Sequence, residues 1–294
     1  MSENIQDARS VSGPGVRRDD ADRQQREIAR TVDRIDRDNG EFAFSAYARL
    51  HLHRSILQRM SSERSESLGA YLFVLEHDAG ERRSLKDQLL VRVTRFFRDR
   101  SVFYSLAARV IPELVDRSVD GNAIRLWIPG CSTGEEAWSL AILMSEAITR
   151  ADRDADFRIF ATDLDAGAVG NARRAVYSPS IAKDVAPERL SEFFLEDASG
   201  YRVRPSLRSH LVFGVQNVVS DPCISGLDLV ACRNVFIYLA RACQQQVLSA
   251  FHYALNPLGI LVLGAPEGVG FHSTEFKAVD STNCIYRRLT ENAR

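Results

Sequence analysis

Apolar positions change their spacing once along this chain. Up to about residue 118 they recur every three or four positions; beyond Gly121 they gather into short unbroken runs separated by helical stretches. In the first part Ile28, Val32 and Ile35 form a narrow stripe among charges of alternating sign, and Asn39-Gly40 supplies a C-cap. Residues 20–40 therefore predict one helix, most simply an exposed extension. AYARLHLHRSILQRM, SLGAYLFVLEH, SLKDQLLVRV and SVFYSLAARVIPELV keep the helical spacing, so 41–118 predicts a small all-helical domain that hands over at VTRFFRDRS. Residues 1–19 are polar, carry GPG and predict disorder.

After Gly121, IRLWI, FRIFATD, LVFGVQN, LDLVACRN and GILVLG have strand length and apolar character. Between them lie helical patterns at EEAWSLAILMSEAI, DAGAVGNARRAV and RACQQQVLSAFHYAL. The alternation predicts an α/β fold with a doubly wound, mostly parallel sheet. GYRVR and HLVFG alternate around turn residues and predict a small hairpin-like insertion at about 195–214.

Composition narrows the function classes. Net charge is −1, so no global basic field argues for nucleic acid or an anionic membrane. No apolar run approaches the ~18 residues of a membrane span, and no signal-peptide core is present. The five cysteines (131, 223, 232, 243, 284) lack CxxC pairing or metal-like clustering, so disulfides, structural zinc and other metal sites are not expected, and the chain reads as cytoplasmic. The bias among basic residues, 3 Lys and therefore 35 Arg out of 38, reads as genomic composition. His51 and His53 stand two apart on a helix and cannot face one metal there. Arg49, Arg54 and Arg59 make the same stretch basic, which suits a solvated face or an acidic partner.

Ligands of doubly wound sheets bind beyond the carboxyl ends of the strands. That places the candidates at Gly130-Cys131-Ser132, Asp163, Asn217 and Arg233-Asn234. The turn in LWIPGCSTGEEAWSLAILM lacks GxGxxG and the P-loop pattern, and Glu135 and Glu136 at its helix start disfavour a phosphate. Asp163 ends the second strand, where dinucleotide folds keep the carboxylate that accepts from ribose hydroxyls; capping the next helix is the alternative, with Asp165 as the rival cap. A nucleoside carrying a cationic group fits these features, and S-adenosylmethionine is such a ligand. Cys131 and Cys232 have no neighbouring base in sequence and read as small packing residues.

At this point a resemblance becomes specific. VTRFFRD, GCSTGEEAWSLAI, IFATDLDAGAVGNAR, QNVVSDP and LDLVACRNVFIYL, with FHYALNPLGILVLGAPEGVG behind them, resemble in order and spacing the CheR-type chemotaxis receptor methyltransferases, over about residues 41–289. The resemblance implies a class I methyltransferase domain over 119–294, behind a helical N-terminal domain, using S-adenosylmethionine and releasing S-adenosylhomocysteine. It implies methylation of glutamate side chains on the cytoplasmic helical bundle of a chemoreceptor.

Carried over by position, the resemblance implies that Thr94 and Arg98 line the cofactor from the domain junction, beside the strand-end Gly130. Glu136 and Asp163 would hold its polar groups, Asp163 on the ribose, with Asn217 and Val218 on the adenine side. Arg233, Asn234 and Tyr238 would close the pocket near the methyl group. An ionised carboxylate needs little proton handling, so positioning and brief neutralisation are the work to be done. Arg98 could fork the acceptor carboxylate and Tyr238 donate to it, which makes them the catalytic candidates. An ion pair of Arg98 with Asp99, or plain packing of Tyr238, remains as the alternative. Arg92 and Ala265-Pro266 depart from residues common in the family. The competing functional readings are a methyltransferase with a different acceptor and a cofactor-binding signalling module with weak catalysis. No pattern along the chain specifies an oligomeric state.

Overall fold

The structure, a computed structural model, describes residues 18–39, 42–118, 122–198 and 200–289. The chain divides into two compact units, Met1–Leu89 and Leu90–Arg294.

The first unit is helical: α1 (Arg18–Asn39), α2 (Arg49–Ser62), α3 (Leu68–His77) and α4 (Ala79–Leu89), with a 3₁₀ turn at Phe44–Ala46. α1 is not the exposed extension that its alternating charges suggested. Ile28, Thr31, Val32 and Ile35 are buried, and the helix packs on α3 and the 3₁₀ turn. Asp36 ties the chain back, accepting from the Phe44 and Ser45 amides at 2.8 and 2.9 Å. Inside the unit, Glu81 accepts from Tyr71 Oη at 2.7 Å and Arg59 Nε at 2.9 Å. Burial pushes the Glu81 carboxyl up, but the Arg59 and Tyr71 hydrogen bonds prevail and hold it below the usual range. The stretch expected to be disordered, 1–19, lies almost wholly outside the described residues.

The expected helical segment 41–118 does not stay in one body. α4 ends at Leu89, and the last helical stretch, α5 (Arg100–Ser105), a π turn (Leu106–Val110) and α6 (Ile111–Asp116), belongs to the second unit. Helical periodicity tells which face is apolar, not which core receives it. Val102, Phe103, Leu106, Val110, Ile111 and Val115 join the same cluster as the sheet residues Leu126 and Ile128.

The second unit carries a seven-stranded sheet. In chain order its strands are β1 (Ile124–Pro129), β2 (Phe157–Asp163), β6 (Leu211–Val215), β7 (Leu227–Cys232), β8 (Leu255–Leu263), β9 (Phe276–Asp280) and β10 (Ile285–Arg288). Their order across the sheet is β6-β2-β1-β7-β8-β10-β9. The five from β6 to β8 run parallel, and β10 and β9 add antiparallel. The helices are α7 (Glu135–Ala151), α8 (Ala166–Arg174) and α11 (Arg241–Ala254), with short α9 (Pro187–Phe193) and α10 (Pro205–Arg208) between. Alternation along β1 and β7 feeds two cores: Leu126, Ile128, Leu229 and Ala231 face α6 and α7, while Trp127, Val230 and Cys232 face Val247 and Phe251 of α11.

A second, three-stranded antiparallel sheet is inserted, ordered β3 (Val176–Tyr177), β5 (Gly200–Val203), β4 (Phe194–Asp197). The expected hairpin at 195–214 is thus only half realised. GYRVR enters the small sheet, but HLVFG becomes β6 and pairs parallel with β2, Phe213 opposite Ala161. The main sheet offers β6 a full row of partners, whereas the small sheet offers two to four residues.

Candidate active site at the carboxyl ends of the strands

From β1 the chain winds outward to β2 and β6, then crosses to β7 on the other side. The crevice therefore opens between the carboxyl ends of β1 and β7, at the switch point. Three of the expected segments meet there: Gly130-Cys131-Ser132 after β1, Asp163 at the end of β2, and Arg233-Asn234 after β7.

The turn after β1 is held by the neighbouring strand, since the Gly130 and Cys131 amides both donate to the Thr162 carbonyl, at 2.7 and 3.0 Å. Its backbone is left-handed at Gly130 (φ +75°), Ser132 (φ +49°) and Gly134 (φ +95°). A Cβ on Gly130 would lie 2.3 Å from Val235 Cγ2, and one on Gly134 would lie 2.9 Å from Ala172 Cβ. The two glycines of GCSTG thus let the loops after β1 and β7 touch and let α7 start against α8.

Asp163 does not cap a helix. Its Oδ2 accepts from the Ser132 amide at 2.8 Å and its Oδ1 from the Asp165 amide at 2.9 Å, while Asp165 caps α8 through the Gly167 and Ala168 amides. Burial raises the Asp163 carboxyl above its ordinary value despite those amides. Ser132 Oγ, beside it, is buried with no hydrogen-bond partner. Arg92, one of the departures from the family pattern, donates to Asp165.

The charged centre is Arg233, whose side chain is 1% exposed. Nη1 donates to Glu136 Oε2 at 3.0 Å; Nη2 donates to Asp99 Oδ2 at 2.7 Å and to the Arg98 carbonyl at 3.0 Å. The Phe103 ring lies 5.4 Å from the guanidinium carbon. Glu136 keeps its other oxygen, Oε1, buried and unpartnered. Burial pushes its carboxyl up, with the Arg233 and Arg98 charges opposing. Arg98 itself does not pair with Asp99; it donates to the Val93 carbonyl at 2.9 Å. Its segment is fixed by the Phe97 amide on Ser139 Oγ at 3.0 Å and by Phe96, edge-on to Tyr177 and Phe194 of the small sheet.

The remaining candidates stand apart from this network. Asn217 turns its Oδ1 onto the Val219 amide at 3.0 Å, and Val218 packs on the α11 side of the sheet. Tyr238 ends a 3₁₀ turn, Phe236–Tyr238, in the loop after β7. Thr94 lines a cavity of about 320 Å³ with Phe96, Tyr177 and, from the start of α7 and the turn before it, Glu135 and Thr133. The Cys131 and Cys232 thiols are raised by burial, as suits packing residues and not nucleophiles. Among the described residues, no three His, Cys, Asp or Glu are grouped to hold a metal ion.

Two contributors were not legible as such. Asp99 closes the Arg233 network, and Glu267 binds the loop after β7 through main-chain amides. Only the acid next to Arg98 in FFRD, and the acid in APEG, signalled them.

The residues present suit a nucleoside ligand with a cationic side. A buried carboxylate oxygen of Glu136 has no partner, and Asp163 ends β2, where such folds keep the carboxylate that accepts from ribose. The fold, together with a family match, defines an S-adenosylmethionine-dependent methyltransferase domain. Residues 92–285 match the family model of the CheR methyltransferase, SAM binding domain, and the chain belongs to that family. It is 36% identical over 255 residues to an uncharacterized 104.1 kDa protein in the hypE 3' region of Rhodobacter capsulatus, covering 87% of this chain and 27% of that protein. It is 31% identical over 237 residues to chemotaxis protein methyltransferase 1 of Pseudomonas aeruginosa, covering 78% and 85%. To chemotaxis protein methyltransferase 2 of Vibrio cholerae it is 28% identical over 245 residues, covering 80% and 84%. The chain thus spans about a quarter of the first of these relatives and most of the other two.

Proposed function

We propose that this chain methylates glutamate carboxylates on the cytoplasmic helical bundle of a chemoreceptor: its Pseudomonas and Vibrio relatives are named chemotaxis protein methyltransferases, and the glutamate acceptor is what the sequence resemblance implies. The observation that carries the reading is the buried Arg233, holding Glu136 by one carboxylate oxygen while the other stays unpartnered. When bound, S-adenosylmethionine supplies an electrophilic methyl group on a sulfonium. Glu136 would hold its ammonium, and Asp163 its ribose hydroxyls. Gly130 lets the backbone approach, while Thr94, Asn217, Val218 and Asn234 complete the walls.

Arg98 and Tyr238 orient the acceptor. Arg98 neutralises the incoming carboxylate with its fork of N–H donors, and Tyr238 donates to the same group. No proton must be moved, because the acceptor glutamate is ionised at neutral pH. The acceptor bundle is water-soluble protein, so neither nucleic acid nor membrane insertion enters the reaction, which belongs in the cytoplasm. No described helix is long and apolar enough to cross a membrane.

The test is labelled methyl transfer from S-adenosylmethionine to a chemoreceptor cytoplasmic fragment, by the wild type and by Arg98→Ala. The expected product is a base-labile methyl ester formed by the wild type alone. Base-stable label on the fragment, or no label with cofactor binding intact, would exclude the ester reading.

A further inference from the structure

Glu267 lies outside the network just described, yet it holds that network's main chain. It is a buried carboxyl group, 7% exposed, whose hydrogen bonds come from main-chain amides. Its Oε2 accepts from the Gly264 amide at 2.6 Å and the Asn234 amide at 3.0 Å; its Oε1 accepts from the Ile237 amide at 3.3 Å. One carboxylate thus joins the end of β8 to both ends of the loop that follows β7. That loop needs such a hold, because Asn234 sits in the left-handed region at φ +59° without being glycine. Arg233 and Tyr238 flank the clamped amides of Asn234 and Ile237.

Space enforces the same join. A Cβ on Gly264 would lie 2.7 Å from Glu267 Oε2 and 2.9 Å from the Asn234 nitrogen. The turn 264–267 closes through the Glu267 amide on the Gly264 carbonyl at 2.8 Å, which aims the carboxylate back at the β7 loop. Ala265 and Pro266, where the chain departs from its family's pattern, lie inside this turn and leave Glu267 itself in place.

We infer that Glu267 is a positioning residue: it fixes the Arg233–Tyr238 loop so that the Arg233 guanidinium reaches Glu136 and Asp99. The inference rests on the cofactor site proposed above. Glu267 acts through Arg233 and need touch neither cofactor nor acceptor. Burial raises its carboxyl, and the amides of Gly264, Asn234, Ile237 and Phe236 favour its ionised form. A glutamine cannot replace it, since its amide would turn N–H donors toward N–H donors.

The experiment is a calorimetric double-mutant cycle with S-adenosylhomocysteine on the full chain: wild type, Glu267→Gln, Arg233→Lys and the pair. We expect Glu267→Gln alone to weaken binding about tenfold or more, through unsatisfied amides and a displaced loop. In the Arg233→Lys background, where the fork is already lost, the same change is expected to add less than about twofold. A purely structural role would give multiplicative losses, and unchanged affinity would exclude any role; either result overturns the inference. If Glu267→Gln does not fold, Gly264→Ala strains the same join from the other side and takes its place in the cycle, with the same expected coupling. Failure of the wild type to bind would instead overturn the cofactor reading, and this inference with it.

Discussion

Arg233 holds Glu136 by one carboxylate oxygen and leaves the other buried without a partner. The two residues lie 97 positions apart, one in the loop after β7 and the other in the first turn of α7. The guanidinium thus carries the cost of burying Glu136 while leaving half of its hydrogen-bonding capacity for a ligand.

Removing that cation should therefore destabilise the empty protein. Arg233→Met is expected to cost about 3 kcal/mol at neutral pH, the usual scale for stranding a buried charge. The loss should shrink as pH falls and Glu136 takes up a proton instead. Urea unfolding at two pH values checks both statements, and a pH-independent loss would speak for packing alone.

Asp99 holds the other branch of the same guanidinium, at 2.7 Å, but its side chain is 39% exposed. Asp99→Ala should cost less than about 1 kcal/mol in stability, as half-exposed pairs do. It should nonetheless weaken S-adenosylhomocysteine binding by about threefold or more, because Arg233 loses one of the two carboxylates that orient it. Thermal midpoint and calorimetric affinity, measured together, separate the two effects.

Cofactor affinity should depend on pH with a fixed sign. Burial raises both the Glu136 and the Asp163 carboxyls above their ordinary values. Between the unfolded and folded values the empty folded state therefore binds more protons than the unfolded one, so these groups lower stability as pH rises through that window. A cationic ligand favours the ionised carboxylates. Affinity should accordingly be full above the raised values and fall as pH drops through them, with protons released on binding inside the window. Titrations in buffers of different ionisation enthalpy measure that release, and proton uptake would contradict the assignment.

The turn after β1 gives a steric prediction. Gly130→Ala combines φ +75° with a Cβ placed 2.3 Å from Val235 Cγ2. We expect about 2 kcal/mol or more of lost stability, together with lost cofactor binding, as the loops after β1 and β7 are pushed apart. Denaturant unfolding and titration of the variant check the pair of effects.

Much of this site could be read from the sequence because parallel strands buried on both faces appear as unbroken apolar runs. LWI of β1 and LVAC of β7 announced themselves, and with them the residues at their carboxyl ends. The edge strand β9 and its neighbour β10, FKAVD and IYRR, are short and mixed in polarity and gave no such signal. HLVFG carried an alternating pattern that suited either sheet, and only the partners available along β2 decided its place. Asp99 and Glu267 were illegible for a different reason. Their partners lie 134 and 33 residues away, so their roles exist only once the sheet brings three loops together.

The most direct test of the central claim compares two ligands on two proteins by calorimetry. S-adenosylhomocysteine carries the amino-acid end that Glu136 is proposed to hold, and 5'-methylthioadenosine lacks it. The account predicts that wild type strongly prefers S-adenosylhomocysteine and that Glu136→Gln loses about tenfold or more of that preference, while binding methylthioadenosine as before. Equal weakening of both ligands, or an unchanged preference, would contradict it.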